Sequence, residues 1–114
     1  MSQLVGQIDE LTRGYGRKGG KRNRAQQRAR MAAFGVFCES LGVTHLGQVG
    51  ARHVIRYWKS PVMQSYSDRT RMGHYYALEV LWRCAGKPEK PPRPFPLATR
   101  QLDEQLRLSD LDGE

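Results

Sequence analysis

The sequence lacks the features that mark several protein classes. Its longest nearly apolar run, Ala32 to Cys38, is too short to cross a bilayer, and the N-terminus lacks the charged-then-apolar order of a signal peptide. It has only two cysteines, Cys38 and Cys84, each within an apolar helical pattern, which favours reduced, buried thiols over a disulfide framework. No stretch alternates apolar and polar side chains with a period of two, as a half-buried strand would. We therefore expect a cytoplasmic protein without a sheet.

Acidic residues are also scarce. The 114 residues contain 11 acidic and 19 basic side chains, for a formal net charge of +8. From Arg13 to Arg30 there are eight basic residues and no acidic one. This excess of positive charge favours the binding of polyanions. No segment combines a basic face with an apolar face long enough to lie in a membrane interface. Nucleic acid is therefore the expected partner rather than a membrane.

Apolar side chains at helical spacing predict an all-α fold, a compact bundle of four helices with a flexible tail. We expect a short first helix ending near Arg13, a second from Asn23 to Leu41, a third from Ala51 to Lys59, and a fourth that is capped by Ser67 and ends at Ala85. Gly42 and Gly86 are placed to stop the second and fourth helices, and Pro61 to stop the third. The predicted buried stripes are Met31, Phe34, Phe37, Cys38 and Leu41; Val54, Ile55 and Trp58; and Tyr75, Leu78, Leu81, Trp82 and Ala85.

Two segments divide the chain. Four glycines and four basic residues make Gly14 to Arg22 a flexible cationic arm, and five prolines make Lys87 to Pro96 an extended strap. We therefore expect a helix and arm over residues 1–22, a DNA-binding helical domain over 23–87, and a strap with an acidic tail over 88–114.

Two motifs suggest chemistry that their surroundings do not support. The glycines at 14, 16 and 19 match a dinucleotide-binding pattern, but they follow a predicted helix and no βαβ unit is present. His45, His53 and His74 do not fall at metal-ligand spacing. We expect neither a cofactor nor a metal.

The starts of the second and fourth helices carry the side chains best suited to DNA. Arginine pairs with phosphates or guanine edges, glutamine can address adenine, and hydroxyl groups at helix starts hold phosphate oxygens. Together with the arm, the predicted DNA-binding residues are Arg17, Lys18, Lys21, Arg22, Arg24, Gln27, Arg28, Ser67, Arg69, Thr70, Arg71 and His74.

The order of elements from Asn23 to Gly86 resembles the N-terminal core-binding, or SAM-like, domain of tyrosine recombinases, the phage-type integrases. The resemblance is carried by Phe34-x-x-Phe37-Cys38-x-x-Leu41-Gly42, His53-Val54-x-x-Tyr57, Ser67-x-x-Thr70, and Ala77-Leu78-x-x-Leu81-Trp82-Arg83-x-Ala85-Gly86. It implies an orthogonal bundle that forms one jaw of a clamp around DNA, with the second and fourth helix starts facing the duplex. It also implies a role in DNA integration and recombination on a mobile genetic element.

The resemblance does not extend to catalysis. Integrases use a His-x-x-Arg pair and a tyrosine, but His53, Arg56 and Tyr57 lack the further cationic partners and the catalytic fold that such a site needs. We therefore expect no catalytic residue and no enzyme activity, whether the chain is a fragment of an integrase or a DNA-binding protein that acts alone.

Two other functions stay open. The helices can form a protein-interaction module, because fold alone does not decide function. Alternatively, Tyr15, Tyr66, Tyr75 and Tyr76 can act as stacking platforms for a single strand or RNA. The acidic tail, Leu97 to Glu114, is a candidate for contacting a protein partner or competing with DNA at the basic helix starts. The oligomeric state is not indicated.

Overall fold

The regular structure of the described residues is entirely helical. The computed structural model describes residues 3–17 and 20–94, although for Arg17 and Lys21 only the backbone is described. Within these ranges no strand occurs, which confirms the all-α fold class. The helices are α1 (Gln3–Leu11), α2 (Arg13–Arg17), α3 (Lys21–Ser40), α4 (Ala51–Lys59), α5 (Pro61–Ser65) and α6 (Asp68–Cys84), with a 3-10 turn at Leu46–Gln48.

The long helix α3 is covered on one side by α1. Leu4 and Ile8 of α1 are buried in the common core. This core therefore combines residues of the predicted N-terminal segment, 1–22, with residues of the predicted domain over 23–87. A Cβ atom on Gly35 of α3 would lie 2.8 Å from the Ile8 Cδ1 atom, so the close approach of the two helices depends on this glycine. At the other end of the contact, Glu39 Oε2 accepts a hydrogen bond from the Leu4 backbone amide (3.1 Å). A carboxylate at this position satisfies an amide of the first helical turn and complements the helix dipole.

The centre of the core is an aromatic cluster where α3, α4 and α6 meet. The Phe34 ring lies 5.1 Å from that of Tyr57 and 6.2 Å from that of Trp82, measured between ring centroids. All three side chains are buried, and aromatic pairs at such separations add to the stability gained from burial alone. The predicted core positions Met31, Phe34, Cys38, Val54, Trp58, Tyr75, Leu78, Leu81 and Trp82 are confirmed.

The buried face of α4 differs from the predicted one. Tyr57 is buried at 4% exposure beside Val54 and Trp58, whereas Ile55 is 42% exposed. Successive helical residues are 100° apart, so Tyr57 and Ile55 lie at equal angles on either side of a face centred between Val54 and Trp58. The aromatic contacts of Tyr57 with α3 decide which of the two is buried. Phe37 is half-buried, and Leu41 at the end of α3 is 38% exposed.

Two short helices replace predicted irregular segments. Arg13–Arg17 forms α2, where the sequence predicts the first part of a flexible arm. Pro61 begins α5 as well as ending α4, because proline fits the first turn of a helix, and the Ser60 hydroxyl caps that turn. Gly42 and Gly86 have φ angles of 87° and 74°, which confirms them as the residues that follow the ends of α3 and α6.

The first part of the proline strap packs against the helices. The indole Nε1 of Trp58 donates a hydrogen bond to the Pro92 carbonyl (2.9 Å), and Pro91 is buried. Lys90 Nζ lies 3.6 Å from Glu79 Oε2, and the Arg93 guanidinium lies over the Tyr75 ring at 5.4 Å. The chain therefore runs back along α6 as far as Arg93. The predicted acidic tail, residues 97–114, lies outside the described residues.

Candidate nucleic-acid interface

Two side chains predicted to contact DNA at the start of α3, those of Arg24 and Arg28, make contacts with the N-terminal helices. Arg28 Nη2 donates to Asp9 Oδ1 (2.6 Å) and to the Asp9 carbonyl (2.9 Å), and Arg28 Nε donates to the Thr12 hydroxyl (3.3 Å). Arg24 lies over the Tyr15 ring at 4.3 Å and donates to the Tyr15 carbonyl (3.2 Å). Arg28 is thus committed to a charge-assisted contact with α1, and Arg24 is partly committed to α2.

The remaining residues of this group differ in their availability. Gln27 is buried, and its Oε1 accepts a hydrogen bond from Arg30 Nη1 (2.8 Å), so it does not present an amide to solvent. Arg22 is exposed. Lys18 and the side chains of Arg17 and Lys21 lie outside the described residues. Arg22 is therefore the described side chain of this group that is open to an external anion.

At the start of α6 the polar side chains mostly bond to each other. The Ser67 hydroxyl caps the helix by accepting from the Thr70 amide (3.2 Å), as predicted for the cap, and it also lies 3.1 Å from the Thr70 hydroxyl. Arg71 Nη2 donates to Asp68 Oδ1 (2.7 Å), and the Arg71 side chain is only 14% exposed. Arg69 is exposed. As at α3, the second residue of the helix is the cation that faces solvent.

His74 is a core residue rather than a surface contact. Its side chain is buried, with the Tyr66 ring stacked on it at 5.5 Å and the Tyr57 ring edge-on at 6.4 Å. Burial lowers the pKa of His74, and the nearby Arg30 guanidinium lowers it further. The imidazole is therefore kept neutral, which makes it a poor ligand for phosphate.

Arg30 of α3 contacts the first half of α6, and it was not among the predicted site residues. Its guanidinium lies so close to Gly73 that a Cβ atom added at this position would be only 2.8 Å from Arg30 Nη1. A glycine inside a predicted helix was the sequence signal for such a close approach. Arg24, by contrast, lines a surface groove of about 460 Å³ with Tyr15 and with Val80, Arg83 and Cys84 from the last turns of α6.

The outer face of α4 carries further exposed cations. Arg52, Arg56 and Lys59 are exposed and lie on the side opposite the buried Val54 and Trp58. His53 has another role, because its Nδ1 accepts a hydrogen bond from the Gly50 amide (3.1 Å) at the start of the helix. The sequence predicts this helix from Ala51 to Lys59, but none of its residues were included in the predicted interface.

Burial also affects the ionisable groups that could act as nucleophiles. Burial raises the pKa of the Tyr57 hydroxyl, and it raises the pKa of the Cys38 thiol to about 12, with a smaller contribution from Glu39. Both groups are therefore protonated at neutral pH. Within residues 3–17 and 20–94, no three His, Cys, Asp or Glu side chains form a group that could hold a metal ion.

Comparisons with family models, curated proteins and solved structures find no match to this chain. No helix in the described part is long and apolar enough to cross a membrane. The charged side chains that are exposed and have no partner inside the protein are therefore the candidates for contacting another molecule.

The buried His74 makes stability depend on pH. Because its pKa is lowered in the folded state, the unfolded chain binds more protons, and stability decreases as the pH falls below the ordinary histidine pKa of about 6.5. Thermal unfolding of the wild type between pH 7.5 and 5.5 should show this decrease. In His74→Phe, which keeps a ring against Tyr66, the decrease should be smaller, whereas His45→Asn at an exposed site should retain it. An unchanged pH dependence in His74→Phe would contradict this assignment.

Proposed function

We propose that this chain is a DNA-binding domain that binds a duplex without catalysing a reaction on it and acts in DNA integration or recombination. The observation that carries the proposal is a set of exposed cations that make no hydrogen bond or ion pair within residues 3–17 and 20–94. These cations are Arg22, Arg52, Arg56, Lys59, Arg69 and Arg83. Arginine and lysine without an internal partner are free to neutralise phosphates.

The position of three of these arginines supports an anionic partner. Arg22, Arg52 and Arg69 are each the second residue of a helix, in α3, α4 and α6. A positive charge at a helix start is opposed by the helix dipole, so these residues do not stabilise their own helices. A bound phosphate at such a position would interact favourably with both the arginine and the helix start.

The charge distribution also favours a polyanion. Of the 19 basic and 11 acidic residues, 17 and six lie before residue 95, which gives this part a formal charge of +11. Four of the six acidic residues, Asp9, Glu39, Asp68 and Glu79, are already engaged by groups of the protein itself. The positive field is therefore little compensated at the surface.

The tyrosines favour a duplex over a single strand. Stacking of unpaired bases needs exposed aromatic faces. Tyr75 is buried, Tyr15 is covered by Arg24, and Tyr66 stacks on His74. Of the four tyrosines considered as stacking platforms, Tyr76 is the most exposed, at 51%. A surface with so few available rings is better suited to the phosphates of a duplex.

The test compares two double variants with the same loss of charge. The wild type should bind a duplex with a dissociation constant of about 10⁻⁴ to 10⁻⁶ M at physiological salt. R22Q/R69Q removes two cations without internal partners and should weaken binding, because two phosphate contacts are lost. Each lost contact should also reduce the magnitude of the slope of log K against log salt by about 0.9. Fluorescence anisotropy with a labelled duplex measures both quantities.

The control is R13Q/K90Q, in which both replaced cations are exposed but form ion pairs with Asp9 and Glu79. It should bind like the wild type. Arg24 and Arg28 are unsuitable for this test, because replacing them would disturb the packing of α1 and α2. Absence of duplex binding by the wild type at low salt would refute the proposal and leave the protein-interaction module as the alternative. A duplex affinity insensitive to salt would contradict binding through phosphates.

A further inference from the structure

We propose that the outer face of α4 is a separate duplex-contact surface that binds the DNA backbone through Arg52, Arg56 and Lys59. This inference rests on the proposed DNA binding, but it assigns a surface distant from the start of α3. All three side chains are exposed, and the helix is anchored from behind by Val54, Tyr57 and Trp58. The face is thus presented by a fixed part of the core.

The cations of α4 have no counter-charge nearby in the sequence. No acidic residue occurs between Glu39 and Asp68, and none of the three cations forms an ion pair or hydrogen bond within the described residues. Arg56 and Lys59 lie in the last turn, where the helix dipole favours positive charge. Arg52 lies in the first turn, where it is opposed, so helix stability does not account for the complete row.

The row of cations on α4 is long enough to reach several phosphates. From Arg52 to Lys59 the helix advances seven residues, or about 10 Å at 1.5 Å per residue. One strand of duplex DNA carries a phosphate about every 3.4 Å along the axis, so this length corresponds to about three phosphates. Each of the three cations can therefore contact a different phosphate of one strand.

The α4 face is distant from the start of α3. Tyr57 anchors α4 on Phe34 and Phe37 of α3, with ring centroids 5.1 Å away in both cases. These two residues are 12 and 15 positions after Arg22, which places them about 20 Å further along the helix axis. The α4 face and Arg22 would therefore contact phosphates at different points of a duplex.

The experiment uses the full chain and the double variant R52Q/R56Q, which removes two charges and leaves the buried side of α4 unchanged. We expect the slope of log K against log salt to decrease by about 1.8, for two lost phosphate contacts. Binding at 0.1 M salt should weaken by about tenfold or more. R52K/R56K keeps the charges and should retain most of the slope. R13Q/K90Q loses the same charge as R52Q/R56Q but should have the slope and affinity of the wild type.

The outcomes separate this inference from the proposed function. If the wild type does not bind a duplex, the proposed function fails and the inference fails with it. If the wild type binds and R52Q/R56Q has the same slope and affinity, duplex binding stands but α4 does not contact DNA, and an acidic protein segment becomes the alternative occupant. Equal losses in R52Q/R56Q and R13Q/K90Q would show an effect of net charge alone and would also overturn the inference. Thermal unfolding of each variant confirms that the fold is intact.

Discussion

Replacing Trp82 by alanine is expected to destabilise the protein by about 3–5 kcal/mol, a large share of the stability of so small a domain. Trp82 is 2% exposed and lies where α6 faces α3, with its ring 6.2 Å from that of Phe34. Lys87 of the strap also lies over this ring, with Nζ 5.4 Å from the ring centroid. The substitution therefore opens a cavity between the helices and removes a contact with the strap. Chemical denaturation at neutral pH measures the loss.

The matched variant is Trp82→Phe, which keeps an aromatic ring in the same space. It should lose much less stability than Trp82→Ala, because most of the buried surface is retained. A midpoint of Trp82→Ala within a few degrees of the wild type in a thermal melt would show that the ring is not part of the core.

Replacing Trp58 by alanine should have a comparably large effect, for a partly different reason. Trp58 is 4% exposed, and its indole joins α4 to the strap through the hydrogen bond to the Pro92 carbonyl. Trp58→Ala loses both the buried ring and this bond and should cost about 3–5 kcal/mol. Equilibrium unfolding in urea is a suitable measurement.

Trp58→Phe separates the two contributions. It keeps an aromatic ring but has no N–H donor, so the Pro92 carbonyl loses its partner, at a cost of about 0.5–1.5 kcal/mol for the hydrogen bond in addition to the smaller ring. Hydrogen exchange or limited proteolysis of the strap should show increased opening in this variant. If the strap is equally protected in Trp58→Phe and in the wild type, the hydrogen bond does not hold it.

The internal partners of the arginines change the interpretation of the basic residues. In the sequence, Arg22, Arg24, Arg28 and Arg30 all belong to one basic segment. In the structure, Arg28 is bound to Asp9, Arg30 to Gln27, and Arg24 to the Tyr15 carbonyl, whereas Arg22 faces solvent. Since an arginine in an internal ion pair must lose that contact before it can bind phosphate, the exposed cations without partners are better candidates for DNA contacts.

The sequence by itself determined the helical class, most helix ends and most of the core. These features depend on local chemistry, namely the 3.6-residue period, the Ser67 cap, and Gly42 and Gly86 after the helices. The short helix α2 was not predicted, because Gly14 and Gly16 have low helix propensity and its contacts with α3 are tertiary.

Only the tertiary structure decided which cations are available. Asp9 is 19 residues from Arg28, and Gly73 is 43 residues from Arg30, so no local pattern reveals that these groups meet. The same holds for the buried His74, which carries a titratable group yet is enclosed by Tyr57 and Tyr66. Periodicity identifies the face of a helix that turns inward, whereas the partner of a long, charged side chain depends on how the helices are arranged in space.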